Sequence, residues 1–372
     1  MIRVLYVATS TTLGGAEKTL YTLATRIDRK KFEVPSVVSL KPEGVYAQKL
    51  AESGIAATSL GSGRRPDLRT LRALRALISE RKPDVVHAFM YQAVQLCRLA
   101  KLGAGFKLVS SPRVTYRTRS WATLALDRAL KNRDDLLISE CEASRKYLIE
   151  RQGYSPEKVR TIYNGVAPAA PAFKADVARL RQEAGAGPGD FLVGTAGRLD
   201  RQKDQACLLR ALIRMRNYDF PRMRCVILGE GPERANLEAL TQRLGLRSRV
   251  RFLGERTDAA AWISSLDLFV LPSLWEGLPN VLLEAMALGV PCAASAVDGV
   301  PEIIRERENG YLFPPGNPWL AAQAISRAMS LDSERRKIAD AGRASVAARF
   351  SLQSMLASYE TAYESLVRPG AA

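Results

Sequence analysis

Short apolar runs alternate with stretches of helical periodicity along the first half of the chain. Strands separated by helices in this way are typical of right-handed β-α-β units in a parallel sheet. The predicted strands are 2–8, 34–40, 85–88, 108–110, 136–139 and 159–162. The predicted helices are 16–27, 46–53, 68–81 and 142–152. Asp67 precedes the third of these helices and is a good N-cap residue.

The second half repeats the alternation after a change in composition. Residues 167–190 are rich in proline, glycine and alanine, which predicts a linker at 166–173. The strands predicted beyond it are 191–196, 224–228, 250–253, 268–271 and 292–296. The predicted helices are 175–184, 205–214, 234–244, 258–264, 279–288 and 318–330. A last amphipathic segment, 351–367, falls outside this rhythm.

Two doubly wound α/β domains of the Rossmann type account for the pattern, with bounds of 1–166 and 174–350. We expect two such halves to face each other across a cleft. Ligands of these sheets bind beside the carboxyl ends of the strands. The chemistry is therefore expected in loops that follow strands, with contributions from both halves.

Composition narrows the class of protein. The chain has 372 residues, of which 47% are hydrophobic and 25% charged, a balance typical of soluble globular proteins and not of collagen, coiled coils or disordered chains. No apolar run approaches the roughly 18 residues of a membrane span, and the first apolar run is predicted to be a buried strand rather than a signal peptide. The five cysteines lie far apart, which favours reduced thiols in the cytoplasm.

The net charge of +17 is concentrated in residues 1–170, which carry 29 basic and 15 acidic side chains. The interval between Asp84 and Asp127 contains no acid. Its cations are Arg98, Lys101, Lys107, Arg113, Arg117 and Arg119. Such a field favours an anionic partner: lipid headgroups, a phosphorylated acceptor or nucleic acid. The alternative is that these side chains are solvated and reflect a basic proteome.

Glycines and cations follow two of the predicted strands. Gly14-Gly15-Ala16-Glu17 would let the backbone approach a phosphate or a sugar at the start of a helix. A glycine turn also opens many helices in such sheets, so this motif alone is weak. In Gly197-Arg198-Leu199, the Arg198 guanidinium could hold a diphosphate together with Lys203. The alternative there is a solvated turn.

Two acids and one histidine are the other candidates. Glu276 ends the loop after 268–271, and Glu284 lies among apolar residues of the next helix. An acid in such surroundings needs a partner, which ligand hydroxyls or an internal arginine would provide. His87, the only histidine, is predicted at a strand end facing the cleft. The alternative is a structural histidine whose hydrogen bonds are satisfied within the protein.

Several motifs are missing from the sequence. Its one histidine and dispersed cysteines fit no metal-ligand spacing, and it contains no D-x-D motif, so we expect no metal. Gly229-Glu230-Gly231-Pro232 lacks the third glycine of a dinucleotide fingerprint. Helix-turn-helix, RNP and zinc signatures are also missing, so we expect no nucleic-acid partner.

Together these motifs resemble the retaining glycosyltransferases of the GT-B fold, specifically glycosyltransferase family 4, over nearly the whole chain. Phe89 stands where many members have a second histidine. In the second half the resemblance rests on Gly197-Arg198-Leu199 with Lys203, Gly229-Glu230-Gly231-Pro232, Phe252-Leu253-Gly254, the spacing of Glu276 and Glu284, and Gly299-Val300-Pro301-Glu302. In the first half it rests on Gly14-Gly15-Ala16-Glu17, Asp84-Val85-Val86-His87 and Asn164-Gly165-Val166.

The resemblance implies two sites. Domain 1–166, joined by a last helix within 351–372 that crosses back to it, would bind the acceptor. The candidate acceptor contacts in this basic domain are Glu17, Arg113, Arg117 and Arg119. Domain 174–350 would bind the nucleotide sugar. The catalytic residues would be Arg198, Lys203, Glu276 and His87. The nucleotide-sugar contacts would be Gly14, Gly15, Gly197, Arg198, Lys203, Gly229, Gly254, Glu276, Gly277, Leu278 and Glu284.

The implied activity is metal-independent, cofactor-free transfer, with retention, from a nucleotide sugar to a glycan or lipid-linked acceptor. A UDP-sugar is expected in preference to GDP-mannose, and cell-envelope polysaccharide or lipopolysaccharide biosynthesis is the expected setting. The excess positive charge of the first half further predicts an anionic acceptor and contact with the inner face of the cytoplasmic membrane. The alternatives are a nucleotide-sugar epimerase or phosphorylase of the same fold, or a basic nucleic-acid-binding protein.

Overall fold

The chain forms two units, each built on a parallel sheet with flanking helices. The structure is a computed structural model that describes residues 1–63, 67–113, 121–168, 177–215, 223–330 and 332–368. Unit 1 comprises Met1–Asn164 and Gln353–Ala372, and unit 2 comprises Gly165–Leu352. The prediction of two Rossmann-like α/β domains, each with a parallel sheet, is confirmed.

Unit 1 is built on central strands buried on both faces, which explains their continuous apolar runs. Its described strands are β1 (Ile2–Ala8), β2 (Phe32–Glu33), β3 (Val37–Ser39), β4 (Ala57–Ser59), β5 (Val85–Phe89), β6 (Lys107–Ser111), β7 (Leu136–Ser139) and β8 (Val159–Thr161). They pair in parallel in the order β4-β3-β1-β5-β6-β7-β8, and β2 pairs with β1.

Six helices precede the second unit within the described part of unit 1. They are α1 (Gly15–Arg26), α2 (Val45–Glu52), α3 (Leu68–Arg81), α4 (Tyr91–Ala100), α5 (Trp121–Leu130) and α6 (Glu142–Gln152). The predicted cap of α3 is confirmed, since an Asp67 carboxylate oxygen accepts the Thr70 backbone N–H at 2.8 Å. The sequence pattern did not predict α4 and α5.

In unit 2 the strands lie in the order β11-β10-β9-β12-β13-β14. From β9 the chain adds β10 and β11 on one side, and it then returns to add β12, β13 and β14 on the other side. These strands are β9 (Phe191–Ala196), β10 (Met223–Leu228), β11 (Val250–Gly254), β12 (Leu268–Leu271), β13 (Cys292–Ser295) and β14 (Tyr311–Phe313). Its helices are α7 (Val177–Glu183), α8 (Gln205–Arg214), α9 (Arg234–Arg243), α10 (Ala259–Ser264), α11 (Asn280–Ala287), α12 (Val300–Ile303), α13 (Pro318–Ser330) and α14 (Asp332–Arg349).

The last helix, α15 (Leu352–Val367), packs into unit 1. Its Tyr359 and Tyr363 are completely buried. A carboxylate oxygen of Glu360 accepts the Asp28 backbone N–H at 3.0 Å, and Lys31 pairs with Glu364 at 3.2 Å. The predicted return of the C-terminal helix to the first domain is therefore confirmed. None of the helices in the described ranges is long and apolar enough to cross a membrane.

Two cations of the interval between Asp84 and Asp127 form ion pairs with acids from a later part of the chain. Arg98 on α4 is completely buried, and its guanidinium donates to Asp134 at 3.0 Å and to Asp127 at 2.7 Å. Lys101 pairs with Asp135. Acids from α5 and the turn after it thus meet cations of α4, so the expected positive field is smaller than the sequence indicates.

The buried pair of acids gives the first testable prediction. Arg98→Ala leaves the Asp127 and Asp134 carboxylates buried without their cation, so we expect a loss of about 3–5 kcal/mol in the free energy of unfolding. Lys107→Ala removes an exposed cation of the same interval and should change it by about 0.5 kcal/mol or less. Urea denaturation measures both, and equal effects of the two variants would contradict this account of Arg98.

Candidate functional site

The loops after β9, β12 and β13 come together at one edge of the unit 2 sheet. These strands are neighbours in the parallel order, so their carboxyl ends emerge at the same edge. The loop after β9 carries Gly197, Arg198 and Lys203, and the loop after β12 carries Glu276. We call this edge, formed by residues 197–204, 272–279 and 296–299, the unit 2 edge.

The carboxylate of Glu276 is the best-defined group at the unit 2 edge. The residue is only 5% exposed. Its Oε1 accepts a hydrogen bond from Lys203 Nζ at 2.6 Å and another from Ser273 Oγ at 2.6 Å. A buried carboxylate needs such donors, and the ammonium group supplies the compensating charge. Two residues predicted from the sequence, Lys203 and Glu276, are therefore in direct contact.

The backbone of the Glu276 loop is fastened on both sides. On the β9 side, the Leu274 N–H donates to the Gln202 carbonyl at 2.8 Å, and the Gln202 side chain donates to the Trp275 carbonyl at 3.0 Å. On the β13 side, Asp298 Oδ2 accepts the Glu276 N–H at 2.9 Å. The position of the carboxylate is thus set by loops from both neighbouring strands.

Three glycines predicted to contact the donor have backbone conformations or contacts that favour glycine. A Cβ at Gly229 would lie 2.0 Å from the Gly197 carbonyl oxygen, and Gly229 has φ +123°. Only glycine fits such an approach. Gly197 and Gly254 also have positive φ, +152° and +70°. Close approach of two backbone segments therefore requires glycine at position 229.

Arg198 and Glu284 are less closely involved. The Arg198 side chain is 72% exposed, and its ion-pair partner in the structure is Asp200 at 3.7 Å. Lys203, predicted to act with Arg198 on a diphosphate, pairs with Glu276. Glu284 lies on α11 and is only half-buried, so the expectation of a buried acid is wrong. The buried face of α11 is formed by Leu282, Leu283 and Met286 instead.

The Gly14-Gly15 turn of unit 1 surrounds a carboxylate of the protein itself. Gly15 is the first residue of α1, and Glu17 accepts from Ser10 Oγ at 2.8 Å. A Cβ on Gly14 would lie 2.3 Å from Glu17 Oε2, so this glycine makes room for the carboxylate. Negative charge in the first turn of a helix is stabilising. Glu17, predicted to bind the acceptor, is buried.

His87 lies within its strand, and its predicted place at the strand end is wrong. It is the third residue of β5 and is completely buried. Its Nδ1 contacts Tyr363 Oη at 2.6 Å, and its Nε2 contacts Ser111 Oγ at 2.8 Å. Both ring nitrogens have partners within unit 1, so His87 joins α15 to the sheet.

Arg113 also contacts the last helix. Its guanidinium donates to Asn164 Oδ1 and to Tyr359 Oη, both at 2.5 Å. It lies 5.2 Å from the ring centroid of Phe89, the residue that replaces the family's second histidine. The other two predicted acceptor contacts, Arg117 and Arg119, lie outside the described residues.

Two residues that hold Glu276, Ser273 and Asp298, were not among the predicted site residues. Ser273 is completely buried, and Asp298 has φ +42°. Each follows an apolar strand within a few residues, which was the available signal: a small polar side chain at the carboxyl end of a buried strand. Among the described residues, no group of three or more His, Cys, Asp or Glu side chains could hold a metal ion.

Comparison with known families decides which family the chain belongs to. The model described as Glycosyltransferase Family 4 matches residues 13–170. The model described as Glycosyl transferases group 1 matches residues 176–345. The chain belongs to glycosyltransferase family 4. Lys203, Glu276 and Glu284 all lie in the range of the second model.

The curated relatives of the chain carry names that state different activities. The chain is 28% identical over 210 residues to N-acetyl-alpha-D-glucosaminyl L-malate synthase of Bacillus anthracis, covering 56% of this chain and 54% of the relative. It is 33% identical over 192 residues to the lipopolysaccharide core biosynthesis glycosyltransferase LpsD of Rhizobium meliloti, covering 52% of each. The chain thus spans about half the length of these curated relatives.

A solved structure matches over a longer range. The crystal structure of Anabaena HepE in complex with UDP and glucose has a TM-score of 0.87 and 26% identity to this chain. The match covers 98% of this chain and 100% of HepE. Both units of this chain therefore have counterparts in that structure, and the predicted GT-B fold is confirmed.

The burial of His87 gives the second prediction. Burial lowers the pKa of His87 well below its ordinary value, and Arg113 nearby lowers that pKa further. Below about pH 6.5 the unfolded chain binds a proton that the folded chain does not, so stability is lost as the pH falls from that value towards the folded pKa. Between pH 6.5 and 5.5, the free energy of unfolding of the wild type should fall by about 1 kcal/mol more than that of His87→Gln.

Urea denaturation at a series of pH values measures this difference. His87 is the only histidine, so no other imidazole contributes to it. Parallel pH profiles of the two proteins would contradict the assignment of a neutral, buried His87.

Proposed function

We propose that this chain is a retaining glycosyltransferase that uses a UDP-sugar and acts on an anionic acceptor during assembly of lipopolysaccharide or a related envelope polysaccharide. The observation that carries the proposal is the buried Glu276 carboxylate, held by Lys203 at the unit 2 edge. Family membership supports sugar transfer. The complex of HepE with UDP and glucose supports the choice of nucleotide.

Each group at the unit 2 edge has a proposed role towards the donor. Lys203 and the exposed Arg198 would neutralise the diphosphate, because charge develops there as the bond to the sugar breaks. Glu276, with the amides of Gly277 and Leu278, would contact the sugar. Glu284 would accept from the ribose hydroxyls. The remaining donor contacts of the proposal are Gly14, Gly15, Gly197, Gly229 and Gly254.

The proposed reaction exchanges one bond for another at the anomeric carbon. The bond from that carbon to the diphosphate oxygen breaks, and a bond to the acceptor oxygen forms on the same face. The acceptor proton passes to the departing diphosphate oxygen, so no protein carboxylate is needed as a nucleophile. Preorganised cations would stabilise the leaving group, and the proposal requires no metal. Unchanged activity in excess EDTA is the expected result.

The third prediction concerns the donor. In a thermal-shift panel of UDP-, GDP- and ADP-sugars, a UDP-sugar at 100 times its Kd should stabilise the protein by about 2.7 kcal/mol.

Lys203→Ala and Arg198→Ala should each lower the rate at which the transfer reaction releases UDP by about two to three orders of magnitude. Wild-type rates in both variants would refute the diphosphate roles. A product whose anomeric configuration is inverted, as measured by NMR, would refute retention.

The proposed acceptor is anionic because unit 1 carries most of the excess positive charge. The Bacillus anthracis relative has L-malate, a dicarboxylate, in its name, and LpsD is named for the lipopolysaccharide core. Glu17, Arg113, Arg117 and Arg119 are the proposed contacts. For Arg113, whose guanidinium is bonded to Asn164 and Tyr359, this role requires a change of partner.

We also propose that unit 1 lies against the inner membrane face through α5. Trp121 is 83% exposed, and Leu126 on the same helix is also exposed. Asp127 and Leu130 are buried, so the helix is attached by its other side. Arg128 adds a cation to the exposed side. Aromatic and aliphatic side chains beside cations are typical of helices that lie in an anionic membrane surface.

The fourth prediction tests this surface with vesicles. The protein should bind phosphatidylglycerol-containing vesicles and not phosphatidylcholine vesicles, and salt should weaken the binding. Trp121→Ser should weaken it about fivefold or more, because the indole loses its place in the interface. Trp319→Ser is the matched control, since Trp319 is an exposed tryptophan of unit 2. Equal effects of the two substitutions, or salt-independent binding to both vesicles, would contradict the proposal.

A further inference from the structure

Asp298 has a backbone conformation that most side chains avoid. It lies in the loop after β13 with φ +42°, in the left-handed region. Glycine adopts this region freely, whereas aspartate does so at a modest energetic cost. A residue held in a sparsely populated conformation justifies a search for what its side chain does.

The Asp298 carboxylate acts on a different loop. Its Oδ2 accepts the backbone N–H of Glu276, 22 residues away, at 2.9 Å. Asp204 offers a useful comparison, since it also has a positive φ of +41°. The Asp204 carboxylate, however, serves its own helix by accepting from the N–H of Cys207. Asp204 and Asp298 thus both adopt the left-handed conformation, but Asp204 caps its own helix whereas Asp298 joins two loops.

The contact made by Asp298 completes the support of Glu276. Lys203 and Ser273 fix the carboxylate, and the Gln202 side chain holds the carbonyl of the peptide before Glu276. Asp298 holds that peptide by its N–H group. Next to it, the Gly299 N–H donates to the Gly277 carbonyl at 3.1 Å, so two consecutive residues of the Glu276 loop are tied to the loop after β13.

We propose that Asp298 is a positioning residue for the donor sugar. By holding the Glu276 backbone, it would set the direction of the Glu276 carboxylate and of the Gly277 and Leu278 amides that follow. The inference rests on the proposed function, which places the sugar against these groups. The inference adds that Asp298, in the loop after β13, fixes the geometry of these groups before the donor binds. Pre-organisation of this kind benefits the reaction more than the binding of the nucleotide.

Three variants separate the hydrogen bond from the backbone strain. Asp298→Gly relieves the strain and removes the acceptor. Asp298→Asn keeps an acceptor oxygen and tolerates the left-handed region. Arg307→Gly is the matched control, because Arg307 also has a positive φ, +63°, but lies in the exposed turn before β14, at the opposite edge of the sheet. For each protein we would measure kcat and KM for the UDP-sugar, the Kd of UDP and the Tm.

Asp298→Gly should reduce kcat/KM for the UDP-sugar about tenfold, the effect of one lost hydrogen bond in the transition state. Relief of the strain offsets part of the lost hydrogen bond, so its Tm should stay within about 4 °C of the wild type, and its Kd for UDP should stay within about twofold. Asp298→Asn should recover most of the activity, and Arg307→Gly should leave kcat/KM unchanged.

Two results would overturn the inference while the proposed function stands. The first is wild-type kcat/KM in Asp298→Gly. The second is an equal loss in Asp298→Asn and Asp298→Gly, which would point to the charge and not to the hydrogen bond. Failure of the wild type to use any nucleotide sugar would instead overturn the proposed function, and this inference with it.

Discussion

A carboxylate almost removed from water must be met by donors from its own protein, and Glu276 imposes this requirement on unit 2. Its donors are Lys203 from the loop after β9 and Ser273 from the loop after β12, while Asp298 from the loop after β13 accepts the Glu276 backbone N–H. These contacts are possible only because β9, β12 and β13 are adjacent and parallel. The strand order of the sheet is therefore what assembles the candidate site.

Much of the fold could be predicted because parallel strands that are buried on both faces have continuous apolar sequences. The strands at 2–8, 191–196 and 268–271 have the predicted bounds. Helix α4 was not predicted, because Gln95 and Arg98 are buried together with its apolar residues and interrupt the apolar pattern. The partners of these two polar side chains, Asp127 and Asp134, come from a later part of the chain. Apolar periodicity is a weak signal where polar side chains of a helix are buried against distant partners.

The site could be predicted only in part, for a similar reason. Lys203 and Glu276 stand in recognisable motifs, and the structure brings them into contact. The burial of His87 was not predictable from its neighbours, because Tyr363, which covers it, lies 276 residues further along the chain. Asp298 was missed because its effect is on the backbone of another loop. Local sequence indicates which residues are reactive, whereas the topology decides which of them meet.

Isothermal titration of UDP and UDP-glucose against wild type, Glu276→Gln and Glu284→Gln tests the central claim most directly. If the Glu276 carboxylate is held in place to receive the sugar, Glu276→Gln should weaken UDP-glucose about tenfold or more and leave UDP nearly unchanged. Glu284→Gln should weaken both ligands alike, since each contains the ribose. Equal affinities of wild type and Glu276→Gln for UDP-glucose would contradict the account.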